Sequence, residues 1–434
     1  LNFLFFTSVE RTHLRFALIE SDSQLQKFTE KYLIRLIEIA GSEPGTVGKI
    51  REILSQYNRR VKSNASITYP VKELLALVKE KGPIASNLSL VYLRYASLNL
   101  IEDQQIELLP LLFEALSEKA HEHIQNVELL SLCIPGFLAL SQKDQHTWPA
   151  FSLPAELKTL LLRFFYCIMA FDVNSIEDVE QTCAYIKNSK KAFTYGMSTE
   201  EFVMIAEKVM SKKYSFVQIK LAVIKLLTSG LFEDQAIFSI IVLGTGQSIE
   251  AVSDAAESAM KKMDINVSVD NRVVVDELMA SYLGITTPTK PVIGNVQTVS
   301  PVCAAMKQKI LQYLTRSNIA PVAYMNNMKV CLDGLTHVSR TESKLLVAAL
   351  NFLIKVIENM PAAAQKNFGP LLFDRVQKIQ EAENGVALSL MYRCLGILGK
   401  RDSAILTGQV DIIGRTFKSI AEVSISSCLQ LYFT

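Results

Sequence analysis

The five residues Gly244-Thr245-Gly246-Gln247-Ser248 come closest to a phosphate-binding turn in this 434-residue chain. They follow the apolar run Ile237 to Val242, much as a nucleotide loop follows a strand. The Lys-Ser/Thr pair that holds phosphate and magnesium is missing, and so is the third glycine of a dinucleotide turn. A turn between two packed helices is the better reading. His121-Glu122-His123 has the residue types of a metal pair. On a helix, side chains two apart point roughly 200° apart and cannot share an ion, and no third or fourth ligand lies nearby. A solvated loop is expected there. The five histidines, at 13, 121, 123, 146 and 337, include none that sequence places beside a nucleophile, and no Gly-x-Ser-x-Gly or His-Glu-x-x-His occurs. No catalytic residue, metal ligand or cofactor is therefore assigned, and the chain reads as non-enzymatic. A set assembled from distant positions would show itself only as a cleft of perturbed titratable groups.

What chemistry remains is charge. Lys49, Arg51, Arg59, Arg60 and Lys62 crowd one predicted helix. A solvated face accounts for them; the functional alternative is a ridge that touches a partner, with Arg51, Arg59, Arg60 and Lys62 as contact residues. The formal net charge of +2 supplies no field for nucleic acid or an anionic membrane. Seven cysteines, at 133, 167, 183, 303, 331, 394 and 428, are scattered through apolar runs without a Cys-x-x-Cys pair. Such a set reads as reduced, buried thiols of a cytosolic or nuclear protein, which leaves the sequons at Asn64, Asn87 and Asn266 without weight. Trp148, beside Pro149, suits a plug in a loop better than a ligand platform.

The elements that would carry these residues are helices. Eighteen glycines and thirteen prolines are few, apolar residues make up 49% and charged ones only 20%, so an oily helical body is expected rather than turn-rich sheets. The longest charge-free apolar stretches, such as Leu129 to Leu140, are too short to span a bilayer, and Leu1 to Phe6 lacks the basic flank of a signal peptide. Without an initiator Met, and ending abruptly at Leu431-Tyr432-Phe433-Thr434, the chain reads as a fragment.

One helix pair is spelled twice. Pro110-Leu111-Leu112-Phe113-Glu114-Ala115-Leu116 returns as Pro370-Leu371-Leu372-Phe373-Asp374-Arg375-Val376, and Leu130-Ser131-Leu132 returns as Leu388-Ser389-Leu390. Pro70 to Pro110, Pro110 to Pro154 and Pro321 to Pro361 step by 40, 44 and 40 residues, and these prolines, with Pro370 as the counterpart of Pro110, are expected to open helices, with second helices over Val47–Val61, Leu88–Leu98, Val127–Leu140 and Leu345–Ile357. Two helices per 40–47 residues is the HEAT or armadillo period. The predicted fold is an all-α solenoid of antiparallel pairs, because one such pair buries too little apolar surface to order itself. Ser198 with Glu201 forms a capping box, Ser248 is expected to cap the next helix, and Pro135 should kink its own. The Thr-, Pro- and Gly-rich stretch 284–301 divides a repeat block at 1–283 from a second at 302–434, and 172–196 reads as a shorter polar join.

Several segments, taken in order, resemble a known family: Val9-Glu10-Arg11 with Leu14-Arg15, Asp22-Ser23-Gln24-Leu25-Gln26, and Asn58-Arg59-Arg60-Val61-Lys62-Ser63. Tyr69-Pro70-Val71-Lys72-Glu73-Leu74-Leu75, Gly196-Met197-Ser198 and Tyr282-Leu283-Gly284 continue the series. The family is that of the proteasome adaptor and scaffold proteins, very large HEAT-repeat proteasome stabilisers, and the match is to their N-terminal region. The resemblance implies a curved solenoid that bridges the proteolytic core particle and the ATPase-bearing regulatory particle. It also implies an adaptor in quality control, cytoplasmic and nuclear, peripheral to the endoplasmic reticulum or endosomes. Family members run several times longer, and the join before Gly196 is short where relatives can carry a Ser/Gly-rich insertion. A cargo-binding solenoid of nuclear transport or vesicle-coat type is the alternative that shares this period and composition.

Overall fold

The computed structural model describes residues 2–62, 66–80, 82–118, 123–151, 153–176, 178–189, 196–210, 214–263, 267–292, 302–322, 324–336, 343–381, 385–407 and 414. Among them the architecture is an all-α solenoid. Its first half runs α1 (Asn2–Ala17), α2 (Asp22–Phe28), α3 (Ile34–Ser42), α4 (Val47–Val61), α5 (Val71–Glu80), α6 (Pro83–Asn99), α7 (Glu102–Glu118), α8 (His123–Gln142), α9 (Ala155–Ala170) and α10 (Val179–Ser189). The second half runs α11 (Thr199–Met210), α12 (Phe216–Leu227), α13 (Asp234–Thr245), α14 (Glu250–Met263), α15 (Arg272–Leu283), α16 (Ala304–Arg316), α17 (Tyr324–Gly334), α18 (Ser343–Asn359), α19 (Ala362–Gln377) and α20 (Gly385–Arg401). A π-helical turn, Thr29–Leu33, joins α2 to α3.

Local sequence sets the starts. Ser21 and Gln24 exchange side-chain and backbone bonds in a capping box ahead of α2. Ser198 and Glu201 do the same for α11: the Ser198 amide donates to Glu201 Oε2 at 2.8 Å, and the Glu201 amide donates to Ser198 Oγ at 3.2 Å. Pro70, Pro154 and Pro361 each stand just before a helix, and Pro83 is the first residue of α6.

Four expectations change. Pro110 and Pro370 do not open helices but lie inside α7 and α19. Glu102 and Ala362, the two starts, are each eight residues upstream, so the doubled unit is longer than its shared letters. Both prolines face solvent, where water can take the carbonyl that lacks an amide donor. Pro321 lies in a short 3₁₀ turn, Ala320–Val322, rather than opening a helix. Ser248 does not cap α14: its hydroxyl donates to Asp172 Oδ1 at 2.7 Å, tying the turn to the end of α9. The polar join at 172–196 contains α10, whose Val179, Cys183 and Ile186 form a helical stripe among polar residues. Pro135 does fall within α8, and the adjacent Gly136 lies against α7, where an added Cβ would be 2.8 Å from the Gln105 carbonyl oxygen.

Successive helices pair, notably α5 with α6, α7 with α8, α13 with α14, and α19 with α20. Pairs then stack through side-by-side rows, in which α8 meets α6 and α12, and α18 meets α16 and α20. The core between rows is one continuous apolar cluster, to which each fully buried Leu-sized side chain contributes about 1.5–3 kcal/mol. Aromatic rings link its sections. Phe16, Phe28, Tyr57 and Tyr92 stand 5.2 to 6.2 Å apart at the N-terminal end, and Phe113, Phe137, Phe165 and Phe232 continue at 5.4 to 6.2 Å.

The stretch after α15 begins with an ordered strap. Gly284 takes a left-handed φ of 66° to end the helix. The chain then turns back so that Lys290 pairs with Glu277 at 2.7 Å, with both side chains at most 6% exposed. Beyond it, α16 packs directly on α13 and α15. Tyr313 meets Phe238 edge-on at 5.6 Å, Lys309 pairs with Glu257 at 3.0 Å, and Gly246 presses on the Met306 backbone.

Candidate functional site

The pattern of α4 builds its surface before any neighbour is considered. Ile50, Ile53, Leu54, Tyr57 and Val61 recur at helical spacing and are buried. That leaves Arg51, Ser55, Asn58 and Lys62 as a second row at i, i+4, i+7 and i+11, with Arg59 beside it. The basic residues then divide by role. Lys49 Nζ pairs with Glu10 on α1 at 2.6 Å. Arg60 donates to the Ile19 carbonyl oxygen at 2.8 Å and places its guanidinium 5.0 Å from the Phe16 ring centroid. Arg60 thus fastens α1 to α4. Arg51, Arg59 and Lys62 stay exposed, make no ion pair among the described residues, and come together along a groove of about 400 Å³.

The far wall is α6, which contributes Leu88, Val91 and Tyr92. Asn58 Oδ1 and the Tyr92 hydroxyl are buried neighbours at the base of the groove, and Asn58 partly offsets the effect of burial on the phenol. Tyr92 is only 1% exposed. Burial, reinforced by Tyr57, Tyr69 and Tyr95, pushes its phenol far above the ordinary tyrosine value, so it keeps its proton and remains a donor. Tyr69 in the same cluster is pushed up to about 12, chiefly by burial. Among the described residues no carboxylate lines the groove.

The other sequence candidates resolve differently. Gly244 and Thr245 end α13 and Gly246 to Ser248 lie in the turn to α14, where Gln247 is buried, accepting from Lys220 Nζ and donating to the Met169 carbonyl oxygen. His121, Glu122 and His337 lie outside the described residues, and His13 and His146 belong to no group that could hold a metal among the described residues. Trp148 packs half-buried against the core, with Nε1 donating to the Lys143 carbonyl oxygen at 3.4 Å. Six of the seven cysteines are buried free thiols, and Cys428 lies outside the described residues.

The strongly perturbed charges sit in seams between helices. Arg163 of α9 holds both carboxylate oxygens of Glu201 and donates to the Gly196 carbonyl oxygen at 2.9 Å, with the pair at most 4% exposed. Against the burial that opposes its charge, Lys290 and the hydroxyls of Thr289 and Thr287 hold Glu277 below the usual carboxylate range. These are structural fasteners rather than a reactive cleft. A second groove, of about 630 Å³, runs across α16, α18 and α20, where Gln308, Gln312, Arg316, Lys344 and Asn351 stand around Val347 and Ala348. Sequence reading missed it because its walls come from three separated helices; the only advance signal was the Gln308–Gln312 spacing of four.

Residues 9–430 match the family model described as proteasome component ECM29, N-terminal. The chain is similar to the proteasome adapter and scaffold protein ECM29 of Homo sapiens, at 24% identity over 441 residues, covering 95% of this chain and 24% of the human protein. It is also similar to the proteasome-associated protein ECM29 homolog of Drosophila melanogaster, at 22% identity over 375 residues, covering 86% of this chain and 19% of that protein. The chain thus spans about a quarter or less of the length of these relatives. No solved structure matches it.

Proposed function

This chain belongs to the proteasome component ECM29 family, matching its N-terminal region, and on that premise we propose that it is a non-enzymatic, proteasome-binding section of a scaffold. The observation that carries the reading is a family match running through nearly all of a solenoid whose perturbed charges are spent between helices. A rigid array of stacked pairs offers long surfaces on which two large bodies can be held at fixed separation. We assign it to stabilising the association of the proteasome core particle with its regulatory particle. Arg51, Arg59 and Lys62 are the contact residues, and Arg60 shapes the ridge from behind. Cytoplasmic and nuclear residence, peripheral to endoplasmic reticulum or endosomal membranes, belongs to the same reading. Six buried free thiols support a reducing compartment, and no described helix is long and apolar enough to cross a membrane.

Retention of purified proteasomes on the immobilised chain tests this directly. Enrichment of both particles is expected, together with slower loss of regulatory particle from core as salt is raised. Failure to retain either particle would reject the proposal.

A further inference from the structure

We propose that the groove between α4 and α6 receives an extended acidic segment of a protein partner. Arg51, Arg59 and Lys62 pair with its carboxylates, while Leu88 and Val91 meet its aliphatic portions. The proposal rests on the reading that this chain meets a partner through its α4 surface, and it names the chemistry of what binds there.

Three cations share one groove with no carboxylate among its lining residues and no ion pair of their own. Some surface cations elsewhere on the chain are paired, as with Lys143 and Asp103 or Arg94 and Glu128, but these three line one groove together. Like charges gathered without counter-charge repel one another, and an incoming polyanion relieves this.

Dimensions agree. Arg51 to Lys62 covers roughly 16 Å of helix axis at about 1.5 Å per residue. An extended peptide at about 3.3 Å per residue fits about five residues into that length. The opposite wall offers half-buried Leu88 and Val91, which suit aliphatic portions of a peptide. A nucleic acid strand would want aromatic faces for its bases, and the only lining aromatic, Tyr92, is enclosed in the core.

The test is fluorescence anisotropy of a labelled decapeptide of alternating Glu and Ala, titrated with the full chain at low and moderate salt. The wild-type chain should bind it, more weakly as salt rises. The exposed triple variant Arg51→Gln/Arg59→Gln/Lys62→Gln should bind at least tenfold more weakly, with an unchanged melting temperature. The proposal is overturned if the Gln/Ala peptide binds equally well, if the triple variant binds undiminished, or if a ten-nucleotide oligothymidylate displaces the acidic peptide. Parallel retention of proteasomes separates the two readings. Loss of proteasomes in the triple variant, with no acidic-peptide binding by the wild type, keeps the surface and rejects the acidic segment. Acidic-peptide binding without proteasome retention rejects the scaffold reading and keeps the groove.

Discussion

Lys220 on α12 is fully buried, and its ammonium donates to the Phe171 carbonyl oxygen and to Gln247 Oε1, 5.1 Å from the Phe216 ring centroid. Asp172 favours its charge from nearby, but burial dominates and brings its titration down to about 7. An unfolded-chain lysine titrates near 10.4, so between those values the unfolded state binds the extra proton and stability rises with pH. Below pH 7 the cost of charging Lys220 is present in full. Relative to Lys220→Met, the wild-type chain should therefore gain up to about 1.4 kcal/mol per pH unit from pH 7 to 9, read by urea unfolding of both proteins. A flat difference would show that the ammonium is solvated. Nothing in the sequence singles out Lys220 or hints that it is buried. Its partners come from the end of α9 and from the α13–α14 turn, which only the fold brings together. Arg51, Arg59 and Lys62 were legible as a cluster because one helix carries them all. Arg60 was not separable from them, since its bond to Ile19 depends on where α1 comes to rest.

At the level of elements, small residues set how closely helices approach. Gly246 closes α13 where α16 begins, and a Cβ there would stand 2.8 Å from Met306 Cα and 3.2 Å from the Ala305 carbonyl oxygen. Backbone cannot yield as a flexible side chain does, so Gly246→Ala should cost about 1–3 kcal/mol, measured as a lower melting temperature. An unchanged melting temperature would mean that α16 shifts freely on α13. The helix pattern itself was readable: Val47–Val61 is α4 to the residue, and Leu345–Ile357 lies within α18. Reading failed where one signal had two uses. Proline marks helix starts, yet an exposed helix turn tolerates it, which is why Pro110 and Pro370 misled while Pro70 and Pro154 did not. In α10 the polar letters outnumbered a three-residue stripe that was enough to fold it.

At the scale of the whole molecule, an all-α array of stacked pairs follows from the repeat alone, because each pair needs a neighbour to cover it. The expected blocks 1–283 and 302–434 touch through Phe238 and Tyr313, Glu257 and Lys309, and Asp270, which accepts from the Asn318 amide at 2.6 Å. A chain ending at residue 292 should therefore bind more 1-anilinonaphthalene-8-sulfonate and melt lower than the full chain. Equal dye binding would show that each block covers its own face. Self-similar architecture also carries a hazard that its buried pairs address. Apolar ridges on look-alike helices tolerate sliding by one unit, and a misthreaded array would still hide most of its oil. Arg163 with Glu201 and Lys307 with Asp333 do not tolerate it, since a cation facing the wrong helix is left dry and unpaired. These pairs behave as keys cut for single locks: they penalise each out-of-step threading and favour the aligned one, in which both buried cations are answered.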